Sequence, residues 1–361
     1  MSKFDWTREQ RGRGMRLRAL GIVIAMALVG AACGGGDESS GSGGGGDDGL
    51  GVERVELAID TDDYMNNLAW AVADSRYWSE LGFTEKAKVR ATDEYMAGLF
   101  GGDVWVAQGE SDVIWAALDE GSVPLKIVGV EKDTEAWFLG ISEGVDENNL
   151  EGLKISGGPP GDRNITVGEK ILEDIGVDPE SMDFVSIEGS SDERLTAMLA
   201  GQIDVAVLQP RHLIPLKEAG GQMIYTRFVD SPQEVWVVNA DFLDENEEAV
   251  CAYLQGRIEA KRWLGEGEGR TGNQDAAIKL GKDYGLVPAE GDLAEWKTEI
   301  SDNWALDGGA PAEAFDKWNQ DMIDNKNVSE GFDWKEHADF TCLWQVQEEL
   351  GLTKNPNPDD V

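Results

Sequence analysis

The chain has 361 residues, enough for one large domain or two medium ones with real cores. Hydrophobic residues make up 41% and Trp occurs 13 times, which excludes an acidic disordered protein, while a net charge of −39 repels phosphate backbones and excludes nucleic-acid binding. With two His, and three Cys (Cys33, Cys251, Cys342) at spacings that fit no zinc or iron–sulfur pattern, no metal centre and no cofactor is expected.

The first 32 residues carry six basic and two acidic side chains, which leaves −43 for the remainder. Arg11, Arg13, Arg16 and Arg18 precede the uncharged stretch 19–32, the charged-then-apolar order of a secretory signal, too short for a stable membrane span. The stretch ends in Leu28-Val29-Gly30-Ala31-Ala32-Cys33, which resembles the lipobox of bacterial lipoproteins. That resemblance implies acylation of Cys33 and anchoring to the outer face of the cytoplasmic membrane. Gly30 stands where the lipobox usually has Leu; the other reading is an ordinary signal with a coincidental Cys. Residues 34–51 contain ten glycines in eighteen positions. Such a tether is a flexible coil with a reach of roughly 20–25 Å.

From residue 52 onward, short apolar runs alternate with helical patterns, which predicts an α/β fold. Strands are expected at 55–59, 86–91, 112–115 and 125–130, with a helix bearing Leu68, Ala69, Val72 and Ala73 after the first. A strand at 153–156 leads into the Gly-rich loop 157–164, with Asn164 as cap of a helix whose apolar face is Val167, Ile171, Leu172 and Ile175. Ser190 and Glu193 form a capping-box pattern before Leu195 and Met198. A buried strand follows at 205–208, a return strand at 235–238, and the chain is mainly helical beyond about residue 241.

Several segments in this order resemble a family: Asn149-Leu150-Glu151-Gly152-Leu153-Lys154-Ile155-Ser156, the Gly-rich loop, Ile175-Gly176-Val177-Asp178-Pro179, Met198-Leu199-Ala200-Gly201-Gln202-Ile203-Asp204-Val205-Ala206, and the helix from Phe242 to Val250. Together with the leader they resemble the type II periplasmic binding proteins of ABC importers, in the nitrate/sulfonate/thiamine-precursor (taurine-like) branch. The resemblance implies a two-lobed α/β fold with a helical C-terminal extension. It divides the chain into a signal peptide (1–32), a tether (33–51), lobe 1 (52–140), lobe 2 (141–232), and a return to lobe 1 with C-terminal helices (233–361). A monomer is implied, working with a small-molecule ligand, an ABC permease and its ATPase. Ligands in open α/β sheets sit outside the carboxyl ends of strands, near helix N-termini.

In the resembled family the loop after the first strand lines the cleft, which makes Asp62, Tyr64 and Asn66 candidate ligand contacts; the plainer reading of Asn66 is a helix cap. Thr92 and Tyr95 have the same ambiguity, and Trp115 either stacks on a flat ligand or packs in the core. In lobe 2 the candidates are Gly158, Arg163 and Asn164, where a helix-start Arg suits an anionic group, and Gln209 and Arg211 at a strand end. His212 reads as structural, and Trp236 joins the cleft aromatics. With Cys33 assigned to the lipobox, Cys251 and Cys342 remain as an even pair in an exported chain, expected to be bridged rather than two buried thiols. The expected function is solute capture without chemistry. The alternatives are a surface lipoprotein that binds a protein or senses a ligand, and an enzyme on the same fold.

Overall fold

The computed structural model describes residues 50–59, 64–91, 95–159, 162–288 and 303–361, together with 293, 296 and 300. The expectations for Cys33, Asp62 and Thr92, and for the leader and most of the tether, lie outside the described residues. Among the described residues no helix is long and apolar enough to cross a membrane.

One eight-stranded sheet runs through the fold in the order β2-β1-β3-β8-β4-β7-β5-β6. Its strands are β1 (Glu56–Ile59), β2 (Lys88–Ala91), β3 (Val106–Glu110), β4 (Leu125–Ile141), β5 (Lys154–Ser156), β6 (Asp183–Phe184), β7 (Val205–Leu208) and β8 (Gln222–Asn239). β4 and β8 are long, antiparallel to each other, and pass through both halves of the molecule. At one end they complete the parallel set β2-β1-β3, and at the other they meet the parallel set β7-β5-β6.

Each half has its own core, so the fold has two lobes. In the first, Leu57, Ile59, Val106, Val130 and Val237 pack with α1 (Tyr64–Arg76) and α8 (Glu247–Leu264). In the second, Val205 and Val207 face Ile171 and Leu172 of α4 (Arg163–Asp174), while Ala206 and Leu208 face Leu195 and Met198 of α5 (Ser191–Leu199). The run Val205-Ala206-Val207-Leu208 is wholly apolar because helices cover the sheet on both sides there.

Several local expectations hold. α5 starts with the Ser190/Glu193 capping box, and the helical C-terminal region includes α8, α10 (Ala312–Asp324) and α11 (Thr341–Glu349). The remaining described α-helices are α2 (Tyr95–Phe100), α3 (Ser111–Glu120), α6 (Leu213–Glu218), α7 (Ala240–Glu245) and α9 (Gln274–Asp283).

Three expectations are corrected. Residues 112–115 are helical, in α3; Ser111, Ile114, Trp115 and Leu118 are its buried face at three- and four-residue spacing, and Gly121 ends it with φ 62°. The strand there is the preceding β3. The cap of α4 is Asp162, whose carboxylate accepts the Asn164 N–H at 2.8 Å, rather than Asn164 itself. Trp115, read as either a ligand-stacking or a core residue, and Trp236, expected among the cleft aromatics, are both core residues. Trp115 stacks on Phe315 of α10, which stacks on Trp334 with centroids 4.4 Å apart, and its indole donates to Asn319 at 3.1 Å. Trp236 lies against Gly129, where a Cβ would stand 2.6 Å from its ring. Cys251 of α8 and Cys342 of α11 have Cα atoms 4.8 Å apart and joined sulfurs.

Candidate ligand cleft

A cleft of about 1980 Å³ separates the lobes, with β4 and β8 beneath it. Tyr64, Met65 and Asn67 at the start of α1 line it from lobe 1, and Lys317 and Trp318 of α10 add a further wall. From lobe 2 come Asp162 and Asn164 at the start of α4, Ser191 and Arg194 of α5, and Gln209 and Arg211 after β7. The N-termini of α4 and α5 and the carboxyl end of β7 therefore meet here, where oriented N–H groups favour negative charge.

Of the residues singled out in the sequence, Tyr64, Asn164, Gln209 and Arg211 line the cleft. Asn66 lies behind it, donating to the Glu234 carboxylate at 2.8 Å. Tyr95 packs against Gly109, where a Cβ would meet its ring at 2.3 Å, and its hydroxyl donates to the Glu110 carbonyl at 3.4 Å. Gly158 holds φ 124° and turns the loop; its amide donates to the Ser156 hydroxyl at 3.3 Å. Arg163 is the first residue of α4.

Arg194 was not anticipated. It is only 1% exposed yet lines the cleft. Its Nε donates to the Val207 carbonyl at 2.9 Å, its guanidinium sits 5.9 Å from the Trp137 ring centroid, and its Nη1 has no hydrogen-bond partner among the described residues. Burial works against its charge and lowers its pKa, with the Asp162 carboxylate opposing that; an Arg remains protonated regardless. A readable signal existed, because Ser191, Arg194, Leu195 and Met198 share the buried face of α5, where a cation is out of pattern.

Around Arg194 the polar side chains hold one another. Arg211 donates to the Ser191 hydroxyl at 3.1 Å and pairs with Asp192 at 3.4 Å. The buried His212 accepts the Gln209 N–H on Nδ1 at 3.3 Å and meets Asp192 through Nε2 at 3.0 Å. Burial and the nearby Arg211 lower the His212 pKa, so it is a neutral imidazole with the proton on Nε2, a positioning role. Burial pushes Asp192 upward, but Arg211 and His212 outweigh it and hold its carboxyl below the usual range.

A buried charge network sits where β4 and β8 cross between lobes. Glu131 pairs with Arg257 at 2.9 Å and Lys261 at 3.6 Å, all three fully buried. Arg257 also donates to Gln108 at 2.7 Å, and Gln108 donates to Glu234 at 3.1 Å. Glu234 in turn holds Lys132 at 3.1 Å. Lys132 and Glu234 line the cleft, so its floor is wired to α8 and α1.

No protein-family model matches the chain, and no curated protein matches its sequence. Solved structures do match. The periplasmic sulfonate-binding protein SsuA of Methylobacillus flagellatus is 14% identical, with a TM-score of 0.62 over 85% of this chain and 98% of that one. The periplasmic nitrate-binding protein NrtA of Synechocystis is 13% identical, with a TM-score of 0.62 over 85% of this chain and 92% of that one. A DszB variant in complex with biphenyl-2-sulfinic acid is 10% identical, with a TM-score of 0.59 over 82% of this chain and 100% of that one. At these identities the likeness is one of fold: the chain has the two-lobed α/β architecture of the periplasmic binding proteins.

Proposed function

We propose that the chain is the extracytoplasmic solute-binding component of an ABC importer, which captures a small organic anion or oxyanion between its lobes and delivers it to a permease. The observation that carries this reading is Arg194, a buried cation that lines the cleft with Nη1 unpartnered among the described residues. Leaving a charged donor without a partner is costly, and an anionic solute supplies one. Its burial also favours a small molecule enclosed by the lobes over a protein docked on the surface. Fold neighbours named for sulfonate and nitrate binding agree with an anionic solute.

On this reading Cys33 carries the lipid anchor after removal of residues 1–32, the tether spans to the membrane, and the folded part acts as a monomer. The Cys251–Cys342 bridge ties the C-terminal helices to lobe 1. The lobes bend against each other at residues 131–134 and 230–234, because Val130 and Val235 belong to the first core while Trp137 and Leu139 belong to the second.

The test is a thermal-shift panel on chain starting at Gly51, with nitrate, bicarbonate, sulfonates, carboxylates, pyrimidines and flavins. A solute at 100 times its dissociation constant adds about 2.7 kcal/mol, an easily read rise in melting temperature. Stabilisation by an anion supports the reading; stabilisation by none of the panel contradicts it.

A further inference from the structure

The floor of the cleft contains a second set of polar groups. Where β8 crosses between the lobes its pairing with β4 slips: Lys132 faces Glu234 and Thr134 faces Asp230. Ser231, Pro232 and Gln233 therefore stand against the single residue Asp133. A proline in a central strand removes a ladder donor, so it is tolerated only at such an irregularity. Bulges of this kind re-aim side chains, and they recur beside functional sites.

Ser231 and Gln233 flank Pro232 in this irregular stretch. They are 2% and 4% exposed, and both line the cleft. Neither Ser231 Oγ nor Gln233 Oε1 has a hydrogen-bond partner among the described residues. Beside them the Glu234 carboxylate already holds Lys132, Asn66 and Gln108. Two buried, unpartnered oxygens on residues that line the cleft are destabilising unless something that enters it satisfies them.

We propose that Ser231 and Gln233 form a hinge-floor subsite that receives an N–H or O–H donor group of the solute. The inference rests on the reading of this cleft as a solute site and narrows it. Arg194 takes the anionic group and the floor takes a donor, so the solute is an organic acid that also carries a hydroxyl or amino group. A bare oxyanion can accept from the Ser231 hydroxyl but leaves the Gln233 carbonyl oxygen, which only accepts, unpaired. Contacts to α5 in lobe 2 and to the crossing strand tie such a solute to one lobe and to the bend itself.

The test is calorimetric titration of the folded chain with two matched sets of probes. One is propanesulfonate, hydroxyethanesulfonate and aminoethanesulfonate; the other is butanoate, hydroxypropanoate and aminopropanoate. Within each set the members differ little in size; the hydroxyl member adds one donor group at unchanged charge, and the amino member adds an ammonium donor with its positive charge. At least one donor-bearing member is expected to bind about tenfold more tightly than its donor-free partner, as one satisfied buried hydrogen bond implies. Which donor gains separates the hydroxyl from the ammonium solute.

In a Ser231→Ala, Gln233→Leu double variant the preference is expected to fall below about twofold, while the melting temperature stays level or rises, because unpartnered polar groups have been removed. Equal binding of donor-free and donor-bearing probes by the parent chain overturns the subsite, as does a preference that survives in the double variant. Binding by none of the six overturns the bifunctional class. Anion capture is read separately, from a fall of about 10- to 100-fold in the affinity of every probe in Arg194→Met.

Discussion

Arg194 donates its Nε–H to the carbonyl oxygen of Val207 at 2.9 Å, and this one bond sets where the guanidinium points. Val207 lies in β7, whose two faces are packed by α4 and α5, so the anchor is among the most rigid backbone in lobe 2. With Nε fixed and the Trp137 ring beside it, Nη1 is left buried without a hydrogen-bond partner among the described residues.

A cation held this way serves binding more than folding. Arg194→Met is expected to lower stability by no more than about 1 kcal/mol, the net worth of one hydrogen bond. Urea denaturation monitored by tryptophan fluorescence checks this. A loss several times larger would make Arg194 a structural residue.

The Glu131–Arg257–Lys261 cluster is predicted to behave oppositely. Arg257→Met leaves Glu131 buried with Lys261 alone, and breaking a buried pair costs about 3–5 kcal/mol. Exchanging all three for Leu and Met removes the charges together and is expected to cost less than the single change. Denaturant midpoints of the two variants decide the matter, and equal losses would contradict it.

Asp133, on the crossing of β4, is pushed up to about 6 by burial, with Asp307 adding to the rise and Lys261 opposing it. The folded state thus holds this proton in a range where the unfolded chain has released it. Its contribution is present at low pH and is lost as pH rises from about 4 to about 6, by about 1–3 kcal/mol. Asp133→Asn is expected to be more stable than the parent at pH 7 and to lose the advantage near pH 4. Melting temperatures across that window measure it, and a constant difference between the two chains would be the contrary result.

The Cys251–Cys342 bridge closes a segment with a sequence separation of 91 between α8 and α11. Reduction is expected to cost about 2–5 kcal/mol of stability. Solute affinity should not change, because neither cysteine lines the cleft. Melting curves and titrations with and without reductant test both halves of that statement.

The sequence was informative wherever a local rule had one solution. The apolar run 205–208 and the Ser190/Glu193 box each specify an element without tertiary help. It was misleading where a short segment served two patterns: Asp112-Val113-Ile114-Trp115 looks like a strand until Leu118 extends the helical spacing. The site was less legible because aromatic type does not reveal direction. Trp115 and Trp236 face Phe315 of α10 and Tyr253 of α8, partners that only the tertiary fold brings to them. Ser231 and Gln233 acquire meaning only from the register slip opposite Asp133, which depends on a strand about a hundred residues earlier.

The most direct test of the account is calorimetric titration of the parent chain and Arg194→Met with the strongest anion from the thermal panel. Loss of a buried charge-assisted hydrogen bond predicts affinity lower by about 10- to 100-fold in the variant, with the fold intact. Unchanged affinity in a folded Arg194→Met chain would show that the anion binds elsewhere and would contradict the cleft as its site.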